Sequence, residues 1–535
     1  MTLGGGGRRP HAAGPPAMTK REKVANIRYT LPFLTQSALA ALCEWSIAHG
    51  GLPDIRNRNQ IRAVRDELLK TSNAYGGLLV KFTVETTDGG TLDIEMLNPW
   101  AGLHHFLSKS PYLAHMFARV HREKPSHLRK WRLVVYNDEV TPGNQLSHAH
   151  SRKVQAIYFS FLELGPLLAS EYSWFTATLV SSQDVQRVKG GMSKVLLMFL
   201  SQFWTDRLDI TSGGISVPLV GHERIQLFAE YGMTLSDELA LHLFYMAKGA
   251  SGLKCCVFCT NCFNRNTKRS SVKNDSWARL HTHHTFSDFE LQTPESIDAI
   301  VNELREANAN LSKTKRENLE TVLGFTFEPD TILFNDALRP KVTPPGHAVY
   351  DWMHVIFVGG CFNMALYHMM YAFSKTALTY AMMYDLLRSW HWPVQHKSET
   401  GIDSFSPTRA KASREAGTHK CTASQGRSLL PVIAAILREA VMENAQFTDR
   451  QKEFAKPLLF LADAVEELEA AARYAADPAR FQRNAEAFLE TFVRPSWDHV
   501  VINALADLAT YLFSGCANNI GDQRFSGYDN YSTVY

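Results

Sequence analysis

Long uninterrupted apolar runs are missing from this chain of 535 residues. The opening MTLGGGGRRPHAAGPP has no continuous apolar segment of the kind a secretory signal needs. Residues 1–30 read instead as a disordered basic leader, with a basic run at Lys20, Arg21, Lys23 and Arg28. The longest apolar stretch, Val355 to Phe373, contains Gly359, Gly360, Asn363 and His368 and has no flanking basic anchors, so it predicts a buried helix with no membrane partner. Charge of one sign is scarce too. A formal net charge of +3 excludes a strongly basic nucleic-acid module, and DNA contact would have to come from local patches. No zinc-finger or helix-turn-helix signature precedes residue 126. Of eight cysteines, Cys43, Cys361, Cys421 and Cys516 stand alone, which excludes a secreted disulfide framework. The other four, Cys255, Cys256, Cys259 and Cys262, are packed at a spacing that lets thiolates reach one tetrahedral ion.

What is present suits a folded protein: 45% hydrophobic and 20% charged residues, on a chain long enough for two to four domains. Residues 31–125 mix helical periods with a strand-like LLVKFTVETT that stops at Asp88-Gly89-Gly90, an accessory domain. From 126 to 262 the chain turns to strands. LVVYNDEVTPGN is a β-branched run ending in acids, and KVQAIYFSFLEL and YSWFTATLVSS follow as neighbours. After the helical SKVLLMFLSQFW, the strand-like RIQLFAEYGM leads into the helical DELALHLFYMAKG. Strand, strand, strand, helix, strand, helix, with acids at the first and fourth strand ends, is the layout of a ribonuclease-H-like sheet. The predicted fold class is therefore α/β, a mixed-sheet core interrupted by a mostly helical insertion over 263–400. A helical C-terminal region with an irregular tail fills 401–535, within which HKSETGIDSFSPTRAKASREAGTHK marks the junction as a polar loop.

Three motifs in order carry a resemblance. They are Tyr136-Asn137-Asp138-Glu139-Val140-Thr141-Pro142-Gly143-Asn144, then Lys248-Gly249-Ala250-Ser251-Gly252-Leu253-Lys254 running into Cys256-x-x-Cys259, then Tyr350-Asp351-Trp352-Met353-His354. Together, over roughly Leu31 to Leu437, they resemble the transposases of CACTA-type (En/Spm) DNA transposons. In that family a first Asp, a second Asp upstream of a Cys-x-x-Cys and an Asp-x-x-His occur in this order.

The resemblance implies strand cleavage and joining at transposon ends by in-line phosphoryl transfer, in the nucleus, with Mg2+ or Mn2+ held by carboxylates. Asp138 and Asp237 are the expected catalytic ligands, with Glu139 the nearest alternative to Asp138 and a helix cap the plain structural role for Asp237. The family completes its triad with a Glu on a late helix, for which Glu439 or Glu443 is available. The tail GCANNIGDQRFSGYDNYSTVY carries none of the family's later motifs, so the resemblance implies a C-terminally incomplete member. A structural Zn2+ is expected on Cys256 and Cys259, with His354 and Asp351 completing the site; Cys255, Cys262, His281, His283 and His284 are alternatives. Implied partners are DNA, a second DNA-recognition protein and further copies of the chain. Lys130 and Arg129, within His121 to Lys130, and Lys268 and Arg269, near Lys273, would meet phosphates. Two rival readings remain: an inactive transposase-derived DNA-binding or assembly protein, and a helical zinc-binding interaction protein in which Asp138 and Asp237 lie far apart.

Overall fold

The computed structural model describes residues 69–140, 153–263, 285–374, 378–392, 400–471 and 476–493, with isolated residues 46 and 67. Lys70–Tyr535 forms one unit and Met1–Leu69 another. Lys268, Arg269, Lys273, His281, His283 and His284 lie outside the described residues.

After a short antiparallel pairing of Ser72–Asn73 with Gly76–Gly77, the larger unit forms a hairpin, β1 (Leu79–Glu85) antiparallel to β2 (Thr91–Leu97). The turn at Asp88-Gly89-Gly90 ends β1 as expected, with Gly89 at φ 82°. Two helices follow, α1 (Pro99–Lys109) and α2 (Pro111–Glu123), each started by a proline and by a side chain that accepts from the first turn, Asn98 and Ser110. Their apolar faces, including Trp100, Leu107 and Phe117, join the same core as the sheet that follows.

That sheet has five strands. β3 (Trp131–Val140), β4 (Val154–Phe161) and β5 (Phe175–Ser181) form an antiparallel meander. β6 (Ala229–Ser236) then pairs parallel to β3 on its other side, and β7 (Ala348–Tyr350) pairs parallel to β6. The order across the sheet is β7-β6-β3-β4-β5. β3 is central, which fits its composition: Trp131, Leu133, Val134 and Val135 are all buried, so both faces are apolar. Phe161 of β4 meets Phe117 and Trp131 edge-on, while Phe159 stacks with Phe175 and packs against Phe199 of α3 (Gly191–Ser201) and Phe203 just beyond it. Each such aromatic buries on the order of 150–250 Å², so this cluster dominates the core.

β7 lies inside the stretch 263–400 expected to be a helical insertion. Three residues give too short an alternation to mark a strand, and only the pairing with β6 reveals it. The rest of that stretch is largely helical where described, with α5 (Pro294–Asn310) and α6 (Lys313–Leu323) packed together. The fourth strand also begins later than the sequence suggested, because Ile225–Leu227 pairs with Ile215–Val217 in a separate hairpin. The polar junction expected to be a loop contains a helix, Pro407–Ala416, begun by a proline and closed by Gly417 at φ 66°.

The apolar stretch after β7 splits into α7 (Trp352–Phe357) and α8 (Cys361–Phe373). By length and composition Trp352–Ala372 could cross a membrane, yet 67% of the window is buried inside the fold. Asn363, in its middle, donates to the His419 carbonyl at 2.9 Å. Beyond it α9 (Ala423–Ile436) runs into a π-helical stretch, Leu437–Met442, and α10 (Asp449–Ala471) and α11 (Pro478–Val493) pack against each other. The architecture is a mixed α/β sheet core with a helical C-terminal region.

Candidate functional site

Strand register decides which acids meet. Leu235 of β6 is opposite Tyr136 of β3, and Ser236 is opposite Tyr350 of β7. Two residues beyond the Leu235 and Tyr136 pair come Asp237 and Asp138, and one residue beyond the Ser236 and Tyr350 pair come Asp237 and Asp351. The three carboxylates therefore stand side by side at the same ends of three adjacent, mutually parallel strands, where neighbours are about 4.8 Å apart. Two hydrogen bonds hold the strand ends in place: Ser236 Oγ donates to Asn137 Oδ1 at 2.6 Å, and Asp351 N–H donates to the Ser236 carbonyl at 2.8 Å.

Each acid is also fixed locally. Asp237 caps the helix α4 (Glu238–Tyr245), its Oδ1 accepting from Ala240 N–H at 2.6 Å. The capping role and a place in the cluster are thus compatible, since Oδ2 remains. Asp351 caps α7, with Oδ1 accepting from Met353 N–H at 2.9 Å. Its Oδ2 accepts from His354 Nδ1 at 2.7 Å. Asp138 Oδ2 accepts from the Tyr136 hydroxyl at 3.3 Å.

The electrostatics follow from the grouping. Burial, then the negative charge of Asp237, raise the Asp138 carboxyl above its ordinary value, while Tyr136 and His354 pull it down. The Tyr136 phenol is pushed well up, by burial first and then by Asp138, Asp351 and Asp237. The His354 imidazole is raised by its bond to Asp351, with Asp237 and Asp138 adding to it. Glu139, the alternative to Asp138, is engaged elsewhere: its carboxylate accepts from Lys153 Nζ at 2.5 Å and Ser182 Oγ at 2.8 Å. Successive residues of a strand face opposite ways, so Glu139 turns from the cluster. Glu439 is exposed on the π-helical stretch and is not among the charges that act on Asp138.

The expected zinc set is divided by the structure. The sulfurs of Cys256, Cys259 and Cys262 lie within 4.8 Å of one another and all three are buried, but His354 and Asp351 do not join them. The reason is the backbone bond from Asp351 to Ser236, which keeps Asp351 and the helical turn carrying His354 at the end of the sheet. The three-cysteine cluster could hold a metal such as zinc, whose tetrahedral sites favour thiolates. Proximity to Cys256 and Cys259 raises the Cys262 thiol well above its ordinary value. Cys255 instead directs its thiol to the Cys262 carbonyl.

The sequence missed the place of Asp351 in the acidic centre. The signal was its position directly after a short β-branched and aromatic run, Ala348-Val349-Tyr350, the pattern already used for Asp138. The expected DNA contacts Arg129 and Lys130 are exposed. They precede β3, at the opposite end of the strand from Asp138 and so about 25 Å away along it. A helical protein with Asp138 and Asp237 far apart does not fit this geometry.

No protein-family model matches the chain, and no curated protein matches it.

Proposed function

We propose that the chain is a metal-dependent phosphoryl-transfer protein acting on DNA, a relative of the CACTA transposases with a ribonuclease-H-like core, which cuts and joins strands at transposon ends. The observation that carries this reading is the convergence of Asp138, Asp237 and Asp351 on one end of three adjacent strands. Numbering the strands of the sheet in chain order gives 3-2-1-4-5, with the first three antiparallel and the last two parallel to the first. That order and those directions are the ones a ribonuclease-H-like core requires, which supports the fold half of the reading.

The donor set suits a hard divalent cation. Asp138 keeps Oδ1 and Asp237 keeps Oδ2 outside the hydrogen bonds described above, so each offers an oxygen. When bound there, Mg2+ or Mn2+ supplies positive charge for the phosphoryl oxygens and acidifies an attacking water or hydroxyl. Asp138 and Asp237 hold the centre, the Tyr136 hydroxyl orients Asp138, and Asp351 orients His354. Cys256, Cys259 and Cys262 would take zinc in a structural role, since their burial keeps substrate away from it.

Cleavage of end-labelled DNA duplexes and supercoiled plasmid with Mg2+ or Mn2+, comparing the native chain with Asp138→Asn and Asp237→Asn, tests the reading. Metal-dependent nicking lost in both variants is expected. DNA binding without nicking in the native chain would support the inactive, transposase-derived alternative instead.

A further inference from the structure

We propose that His354, held by Asp351, is the group that delivers a proton to the departing 3′ oxygen when a DNA strand is cut at the Asp138 and Asp237 centre. The inference rests on the phosphoryl-transfer reading above.

The geometry commits one ring nitrogen and frees the other. A carboxylate only accepts, so the 2.7 Å contact between His354 Nδ1 and Asp351 Oδ2 makes Nδ1 the donor. Asp351 cannot easily turn away from this bond. Its backbone N–H is tied to Ser236, its Oδ1 to Met353 N–H, and its Oδ2 to His354. The imidazole is therefore fixed in orientation, with Nε2 as its one remaining polar atom. Its side chain is 36% exposed, so a substrate can reach it. Aspartates that orient histidines in this way set the tautomer and favour the cation. A carboxylate centre meant only to gather cations would gain nothing from a cationic ring beside it. A centre that must also release an alkoxide gains a proton donor.

The step balances without any redox partner. A water oxygen places its lone pair on phosphorus as the bond from phosphorus to O3′ breaks, its electron pair staying on O3′. The Nε2 proton passes to that oxygen, leaving a 3′ hydroxyl, a 5′ phosphate and neutral imidazole. The water's proton goes to solvent, and solvent restores the proton on Nε2. General acids of this kind contribute on the order of 10²–10⁴-fold.

A substrate with sulfur in place of the bridging 3′ oxygen separates this role from others, because a thiolate leaves without being protonated. In Mn2+, His354→Gln should lose about 10²-fold or more on ordinary DNA yet cut the sulfur-bridged strand within about tenfold of the native chain. Equal losses on both substrates would overturn the proposal, since a lost metal or phosphate contact harms both. If the native chain cuts neither strand, the phosphoryl-transfer reading falls and takes this inference with it. Histidine nitrogen NMR of the metal-free chain gives a readout independent of cleavage, with the His354 ring identified by its loss in His354→Gln. The neutral ring should carry its proton on Nδ1 in the native chain and on Nε2 in Asp351→Asn. A native ring protonated on Nε2 would refute the assigned orientation.

Discussion

Without a bound cation the acidic centre should cost the fold stability, and Asp138→Asn should recover it. Two carboxylates about 5 Å apart on neighbouring strands repel by about 3 kcal/mol at an effective dielectric of 20. Partial exposure and the facing His354 cation reduce this to about 1–2 kcal/mol. The sign follows from the direction of the shift. Asp138 is raised above its ordinary value, so its charge opposes folding at neutral pH, and the penalty shrinks as pH falls from the raised value and is gone below the ordinary one. Asparagine keeps the shape and still accepts from Tyr136, so only the charge changes. In thermal melts at pH 7 without divalent cations, the variant should unfold about 2 °C higher than the native chain, scaled down for a unit of this size. Adding Mg2+ at ten times its Kd should then stabilise the native chain by about 1.4 kcal/mol and the variant by much less. A variant that melts lower, or that responds to Mg2+ as the native chain does, would refute the account of this centre.

Other perturbations separate structural parts from chemical ones. Cys259→Ser, or treatment with a chelator, should remove about one zinc per chain and lower the melting temperature by several degrees, read by metal analysis and calorimetry. Gly360→Ala should destabilise by about 2–4 kcal/mol in urea unfolding, because a Cβ there would overlap the Val355 carbonyl oxygen at the break between α7 and α8. Glu163→Gln should cost about 2–3 kcal/mol by the same measurement: Glu163 is 9% exposed and accepts from Arg132 N–H at 2.7 Å and Nε at 3.1 Å, so its loss leaves a half-buried guanidinium unpaired. Glu439→Gln should leave DNA cleavage unchanged, and a strong loss would restore the late-helix glutamate to the centre.

The strands of the core were legible because their residues have no other use: Leu133 to Val135 and the aromatics of β4 fit a buried pleat and little else. Asp138 and Asp237 were legible from their place at strand ends. The partner of these acids was not, because Asp351-x-x-His354 also has the spacing of metal ligands on one helical face, and only register across β6 distinguishes the two uses. Cys262 was visible as an alternative, since its two-residue spacing from Cys259 repeats that between Cys256 and Cys259. The helix Pro407–Ala416 was hidden for the opposite reason. Its residues are mostly polar, with Ala410 and Ser413 alone buried, so its caps and not its periodicity define it.

The cysteine cluster and the acidic centre are separate in chemistry but joined through one aromatic contact. Phe258, between Cys256 and Cys259, packs on Tyr350 with ring centroids 5.1 Å apart. The same phenylalanine's carbonyl accepts from Gln292 N–H at 2.6 Å, which ties the cysteine turn to the start of α5. Tyr350 is the last residue of β7, and the next residue is Asp351. β7 has only three residues paired to one neighbour, too few bonds to hold a strand end rigid by itself. Side-chain packing must therefore supply the rest, and Phe258 comes from the turn a zinc ion would lock. A centre that depends on the Asp351 to His354 bond for orientation is thus only as precise as β7, and β7 is only as firm as the turn behind it. In this arrangement a metal held by sulfur would steady the acidic centre without touching it, by fixing where Asp351 begins its helix.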